Sequence, residues 1–178
     1  MSGSDLTAGN TLTFERDDGS LYFLMVSPPP VVEAILELAG LEAGETLYDL
    51  GSVDGRVVIR AAQQFDIRSV GIESNRDLWE HSRKRIQALG LEDRVTVKLG
   101  DLNDENLQSA DVIVTYLGRE DHNDALRDRF AKHIVSGGRL VTVDCSLAGW
   151  EATDRKDVRF SDSTYTVFLY DRRDRLSR

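Results

Sequence analysis

Asp49-Leu50-Gly51-Ser52-Val53-Asp54-Gly55-Arg56 decides how this chain folds. It joins a short apolar run, Thr46–Leu50, to residues 56–65, where Val57, Val58, Ala61, Ala62 and Phe65 recur at helical spacing. A short strand, a glycine-bearing turn and an amphipathic helix, in that order, open a βα unit. Gly51 and Gly55 let the backbone take positive φ and come close to a ligand. Such a turn by itself is only a tight turn. Its weight comes from the residues downstream of it.

The alternation continues. Residues 69–73 read as a second strand and 76–89 as a helix ended by Gly90. Val95–Leu99 reads as a third strand, and residues 103–107 as a short helix. Residues 111–117 are almost continuously apolar, as a central parallel strand requires. An amphipathic helix over 121–134 stops at Gly137-Gly138, and 139–145 is a fifth strand. Then the pattern breaks. Residues 158–160 and 165–170 are both strand-like, and the four residues 161–164 between them are too few for a helix. They predict a hairpin.

Upstream, Ser27-Pro28-Pro29-Pro30 forces an extended bend, because proline fixes φ and restricts its neighbour. Residues 31–41 continue with helical spacing, and 21–26 form a short apolar run. Residues 1–20 are polar and read as a flexible tail, and 21–178 as a single domain. The predicted fold is α/β: a Rossmann-like, doubly wound, seven-stranded sheet, mostly parallel, with a C-terminal antiparallel β-hairpin. A dinucleotide-binding domain would instead continue with another crossover.

Composition narrows the function. With 178 residues, 40% hydrophobic and 30% charged, the chain reads as an ordinary globular domain. No apolar run reaches a membrane-spanning length, and no secretory signal is read at the start. Cys145 is the single cysteine, which fits a reducing, cytoplasmic setting. The net charge of -9 disfavours a nucleic-acid platform, which needs clustered cations. Of 22 basic residues, four are lysines: Lys84, Lys98, Lys132 and Lys156. His81, His122, His133 and Cys145 are scattered, without metal-ligand spacing.

Ligands of doubly wound sheets bind at the carboxyl ends of the strands. Three acids stand at such ends. Asp49 can accept a hydrogen bond from an ammonium group. Glu73, 22 residues after Gly51, can accept from both hydroxyls of a ribose. Asp101 can accept from an adenine amino group, or it can simply cap the short helix read after it.

On these residues the sequence resembles the class I S-adenosylmethionine (SAM)-dependent methyltransferases. It looks most similar to the small archaeal protein-lysine methyltransferases and their mitochondrial relatives. The resemblance spans residues 24–170. It rests on Val26-Ser27-Pro28, Tyr48-Asp49-Leu50-Gly51, Asp54-Gly55-Arg56, Val70-Gly71-Ile72-Glu73, Gly149-Trp150 and Thr166-Val167-Phe168-Leu169-Tyr170. It implies SAM as cofactor and a protein substrate with an accessible lysine. Asp49 and Gly51 would then hold the methionine moiety, with Val53 and Gly55 as further cofactor-binding residues of the same loop and Ser27 where the family carries a threonine touching the cofactor carboxylate. Glu73 would hold the ribose, Asp101 and Leu102 would frame the adenine, and Tyr116 would border the substrate channel. Trp150 and Tyr165 are further candidates for that lining.

Two features depart from the pattern. The family loop reads Gly-x-Gly-x-Gly, whereas Val53 holds its middle position here. If that position needs positive φ, a β-branched residue costs on the order of 1–2 kcal/mol there, and its isopropyl group projects towards the cofactor. Strand four ends Val114-Thr115-Tyr116-Leu117, without the Asn/Asp-Pro-Pro-aromatic signature of enzymes that methylate planar amino groups. Alternatives therefore stand beside lysine methylation: a non-catalytic binding protein with an impaired SAM site, or a methyltransferase for a small molecule or RNA.

Overall fold

A computed structural model of the chain describes residues 11–15, 21–117 and 125–172. Strands β1 (Thr11–Glu15) and β2 (Leu21–Met25) pair antiparallel as a separate two-stranded sheet. This corrects the flexible-tail reading for residues 11–15. Thr11, Leu12 and Thr13 alternate with period two, and Leu12 is buried. Helix α1 comes next, over Pro29–Ala39, with proline in its first turn and Gly40 as a left-handed C-cap.

The main sheet uses β3 (Thr46–Leu50), β4 (Arg68–Glu73), β5 (Val95–Leu99), β6 (Val112–Thr115), β7 (Arg139–Val143), β8 (Asp154–Phe160) and β9 (Ser163–Tyr170). Their order is β5-β4-β3-β6-β7-β9-β8, with β5 to β7 parallel and β9 and β8 antiparallel. It is the seven-stranded, doubly wound sheet expected from the sequence. The order reverses at β3, where Asp49 pairs with Val114 and Leu50 with Thr115.

Among the described residues, three further helices complete the layers: α2 (Arg56–Gln64), α3 (Arg76–Ala88) and α4 (Arg127–Val135). Val58, Ala61 and Ala62 of α2 lie in the core beside Val31 and Ile35 of α1 and the inward residues of β3, β6 and β7. Each buried Val or Ile contributes roughly 1.5–3 kcal/mol of burial. Phe130 of α4, Leu126, Leu107 and Tyr170 fill the layer on the opposite face of the sheet. Helix α3 begins at Asn75, whose side chain accepts from the backbone N–H groups of Asp77 (2.9 Å) and Leu78 (3.2 Å).

The hairpin is tighter than the sequence suggested. Phe160 pairs with Ser163, so Ser161 and Asp162 alone turn the chain. The short helix read over 103–107 is instead a series of turns, in which Asp101 and Asn106 each accept from the backbone N–H two residues on. Strand β7 stops at Val143 rather than 145, where Asp144 turns left-handed with φ 60°. Of the helix expected over 121–134, residues 121–124 lie outside the described residues. No helix among the described residues is long and apolar enough to cross a membrane.

Gly71 shows how closely the loop after β3 packs on β4. A Cβ placed there would lie 2.7 Å from Ser52 Cβ and 3.2 Å from Val97 Cγ2. Gly71→Ala is expected to destabilise the fold by about 1–3 kcal/mol, as overpacking does. Adding Ser52→Gly should restore most of that loss in urea unfolding, because it removes the atoms in the way.

Candidate functional site

Gly51 leaves β3 with φ 86°, and the N–H groups of Gly51 and Ser52 both donate to Ile72 O at 3.0 and 2.9 Å. The loop is thereby folded across the end of β4. Val53 takes φ 50°, the left-handed region that the sequence pattern raised for it. Its N–H donates to Glu73 Oε2 at 2.9 Å, while Glu73 Oε1 accepts from Asn75 N–H at 2.8 Å. Burial pushes the Glu73 carboxyl up, and the backbone N–H groups of Asn75, Val53 and Ser74 oppose that shift.

Asp54 is almost fully buried and is held by two arginines. Arg56 binds it in bidentate fashion at 2.9 and 3.0 Å, and Arg85 of α3 reaches both its carboxylate and its backbone carbonyl. Arg56 also donates to Ser27 O at 2.9 Å, which ties the segment before α1 to the loop. Sequence reading missed this network. Its legible part was the Asp54-x-Arg56 spacing; Arg85 is 31 residues away.

Two cavities meet at Gly51. The larger, about 390 Å³, is lined by Glu73, Asp101, Leu102, Asn103 and Leu117. The smaller, about 30 Å³, is lined by Ser27, Asp49, Val53, Val114 and Tyr116. Eight of the nine residues singled out in the sequence therefore line one cavity or the other. Gly55 lines neither: it is the left-handed residue before α2, and a Cβ there would stand 3.2 Å from Ser82 Cβ. Asp101 Oδ1 accepts from the N–H and Nδ2 of Asn103, both at 2.8 Å, so it also organises its own turn. Tyr116 donates to Asp144 Oδ2 at 2.9 Å. Burial, reinforced by the Asp144 hydrogen bond, pushes its hydroxyl far up, so it stays a phenol. Tyr165 is buried in the same core layer, whereas Trp150 packs edge-on to Tyr170 on the opposite face. The three aromatics do not form one channel.

Asp49 is buried, which pushes its carboxyl up to about 7; the Ser52 hydroxyl opposes that, and the Asp54 and Glu73 charges add to it. A carboxyl in that state gains most from a cationic partner. This donor set fits SAM. Glu73 suits a hydroxyl pair, Leu102 and Leu117 provide apolar walls for a flat ring, and Asp49 suits an ammonium. The larger cavity falls in the size range of small-molecule sites. The smaller, at about 30 Å³, holds little more than a water molecule, and Val53 is one of its walls.

The family model of the ANTKMT methyltransferase domain matches residues 49–154, beginning at Asp49 itself. The chain belongs to the ANTKMT methyltransferase domain family. This ANTKMT-type domain is a SAM-dependent methyltransferase. It is similar to a protein-lysine N-methyltransferase of Saccharolobus islandicus, 28% identical over 81% of this chain and 89% of that one. Among solved structures it resembles an RNA methyltransferase from Salinibacter ruber in complex with S-adenosyl-L-homocysteine. That match has 35% identity and a TM-score of 0.71, over 81% of this chain and 92% of the other. A geranyl diphosphate methyltransferase in complex with SAM matches more loosely, with 25% identity and a TM-score of 0.54, over 63% of this chain and 47% of its own.

Two outcomes are expected of the site. Val53→Gly replaces a strained residue by one at ease with φ 50° and opens the smaller cavity. It should tighten SAM binding at least severalfold by calorimetric titration, with stability changed by no more than about 1 kcal/mol. Asp49 gives a pH dependence. Its folded pKa lies above the ordinary 3.8, so its contribution to stability is present in acid and lost as pH rises through about 7. The wild type should therefore lose thermal stability relative to Asp49→Asn between about pH 4 and pH 8. If the cofactor's ammonium takes the charged carboxylate, SAM affinity should fall below pH 7, by up to about tenfold per pH unit.

Proposed function

We propose that this methyltransferase transfers the methyl group to the side-chain amine of lysine in proteins. The observation that carries the reading is the mouth of the smaller cavity. There the phenol of Tyr116, fixed as a neutral donor, stands between Asp49 on the cofactor side and the exposed carboxylate of Asp144. That arrangement offers aromatic surface and negative charge to a cationic acceptor. The similarity to the Saccharolobus islandicus lysine methyltransferase supports it. So does the net charge of -9, which attracts basic protein segments and repels phosphates.

SAM supplies a methyl group already activated on a sulfonium. The chain's task is alignment, which is worth several kcal/mol in a displacement reaction. The lysine nitrogen must present a free lone pair, and the apolar ring of Tyr116 favours the neutral amine by desolvation. The proton leaves to solvent, the lone pair forms the new N–C bond, and the pair of the broken C–S bond stays on sulfur.

Methyl-labelled SAM, poly-L-lysine, basic proteins and total RNA supply the test. Label is expected in protein, and its loss is expected after lysine acetylation. Label in RNA alone would replace the reading by RNA methylation, the activity of the Salinibacter ruber protein. No transfer to any of them by the wild type or by Val53→Gly would remove the catalytic reading and leave a SAM-fold binding protein.

A further inference from the structure

Among the described residues, three that are not glycine have positive φ: Val53, Asp144 and Ser161. Ser161 turns the hairpin, and Val53 belongs to the cofactor loop. Asp144 is the third, at φ 60°, just past the end of β7. Strain of this kind persists where the surroundings enforce it. Here Asp144 N–H donates to Thr166 O at 2.8 Å, and Thr166 N–H donates back to Asp144 Oδ1 at 2.9 Å. The chain of β7 is thus pinned to β9 on both sides of the residue. The result is a carboxylate aimed at the Tyr116 hydroxyl, 2.9 Å from Oδ2.

Asp144 is exposed, and no Lys or Arg among the described residues forms an ion pair with it. This sets it apart from Asp54, Glu45 and Glu33, each of which holds an arginine. A carboxylate has about four acceptor positions, and the hydrogen bonds from Tyr116 and Thr166 fill two. Through Tyr116 it stands one side chain away from the small cavity that Asp49 and Val53 line.

We propose that Asp144, presented by its left-handed turn and braced by Tyr116, binds the substrate ammonium and so selects a cationic acceptor for this methyltransferase. The inference rests on the lysine reading and names the group that recognises the lysine. The ammonium docks on the free lone pairs of Asp144, with the ring of Tyr116 beneath it. Once its proton has passed to solvent, the neutral amine is released from the carboxylate towards the methyl group. Asp144 is a binding group in this scheme, and it does not carry the proton through the transfer step.

The decisive variant is Asp144→Asn. Asparagine accepts the left-handed conformation as readily as aspartate, and its carbonyl still accepts from Thr166 N–H, so the fold is retained while the charge is lost. Asp144→Gly is the second variant, free of any backbone strain. With poly-L-lysine as acceptor, both should raise KM about tenfold or more, the loss of a charge-assisted hydrogen bond. The kcat should stay within about threefold, and the SAM Kd by calorimetry should stay unchanged. A KM equal to the wild type's in both variants overturns the assignment and leaves lysine methylation standing. A loss of SAM affinity in both also overturns it, because Asp144 would then act on the cofactor loop. A wild type that methylates no lysine substrate removes the lysine reading itself, and this inference with it.

Discussion

The hydrogen bond from Val53 N–H to the Glu73 carboxylate holds the site together. A β-branched residue at φ 50° costs on the order of 1–2 kcal/mol. A hydrogen bond to a charged acceptor contributes about 1.5–3 kcal/mol, enough to hold the residue there. The bond runs from the loop after β3 to the end of β4, and so fixes the spacing of the two strand ends. It also sets a limit. Glu73 already spends one lone pair on Val53 and one on Asn75, so any ligand hydroxyl would have to use those that remain.

The second constraint lies behind the loop. A carboxylate as buried as Asp54 is tolerable only when paired and hydrogen-bonded. Arg56 and Arg85 pair it, and Arg56 carries the connection onward to Ser27. The segment entering α1, the loop after β3 and the last turn of α3 are therefore tied together. That coupling explains why Ser27, distant in sequence, lines the same small cavity as Asp49 and Val53.

Local patterns carried the fold into the sequence legibly. Strand β3 and strand β5 fall where apolar period and turn residues put them, and the loop too short for a helix announced the hairpin. What escaped was decided by competition or by distance. Residues 103–107 read as a helix, yet Asp101 and Asn106 close local turns there, each accepting from the N–H two residues on. Residues 11–15 looked like polar tail because Thr and Glu dilute a period of two. The left-handed state of Val53 could be inferred from a family pattern, but the carboxylate that enforces it lies 20 residues on. Asp144 gave no signal at all, since its meaning depends on Tyr116, 28 residues earlier and just past the end of β6.

Parallel strands all end on one edge of a sheet, and that geometry explains the charge of this site. Asp49 is the last residue but one of β3, Glu73 ends β4, Asp101 comes after β5 and Asp144 after β7. A modest sequence habit, a carboxylate at the end of four of the five parallel strands, becomes a rim of negative charge once the strands are aligned. Burial raises the pKa values of Asp49 and Glu73, and at Asp49 the Asp54 and Glu73 charges add to it. A cation placed beside Asp49 relieves that cost. The cofactor is cationic at its sulfonium and its ammonium, and a lysine acceptor brings a further positive charge. On the lysine reading proposed above, one arrangement of strand ends thus favours both partners of the reaction. The same arrangement disfavours a phosphate-bearing acceptor, because its charge would add to the repulsion the rim already carries.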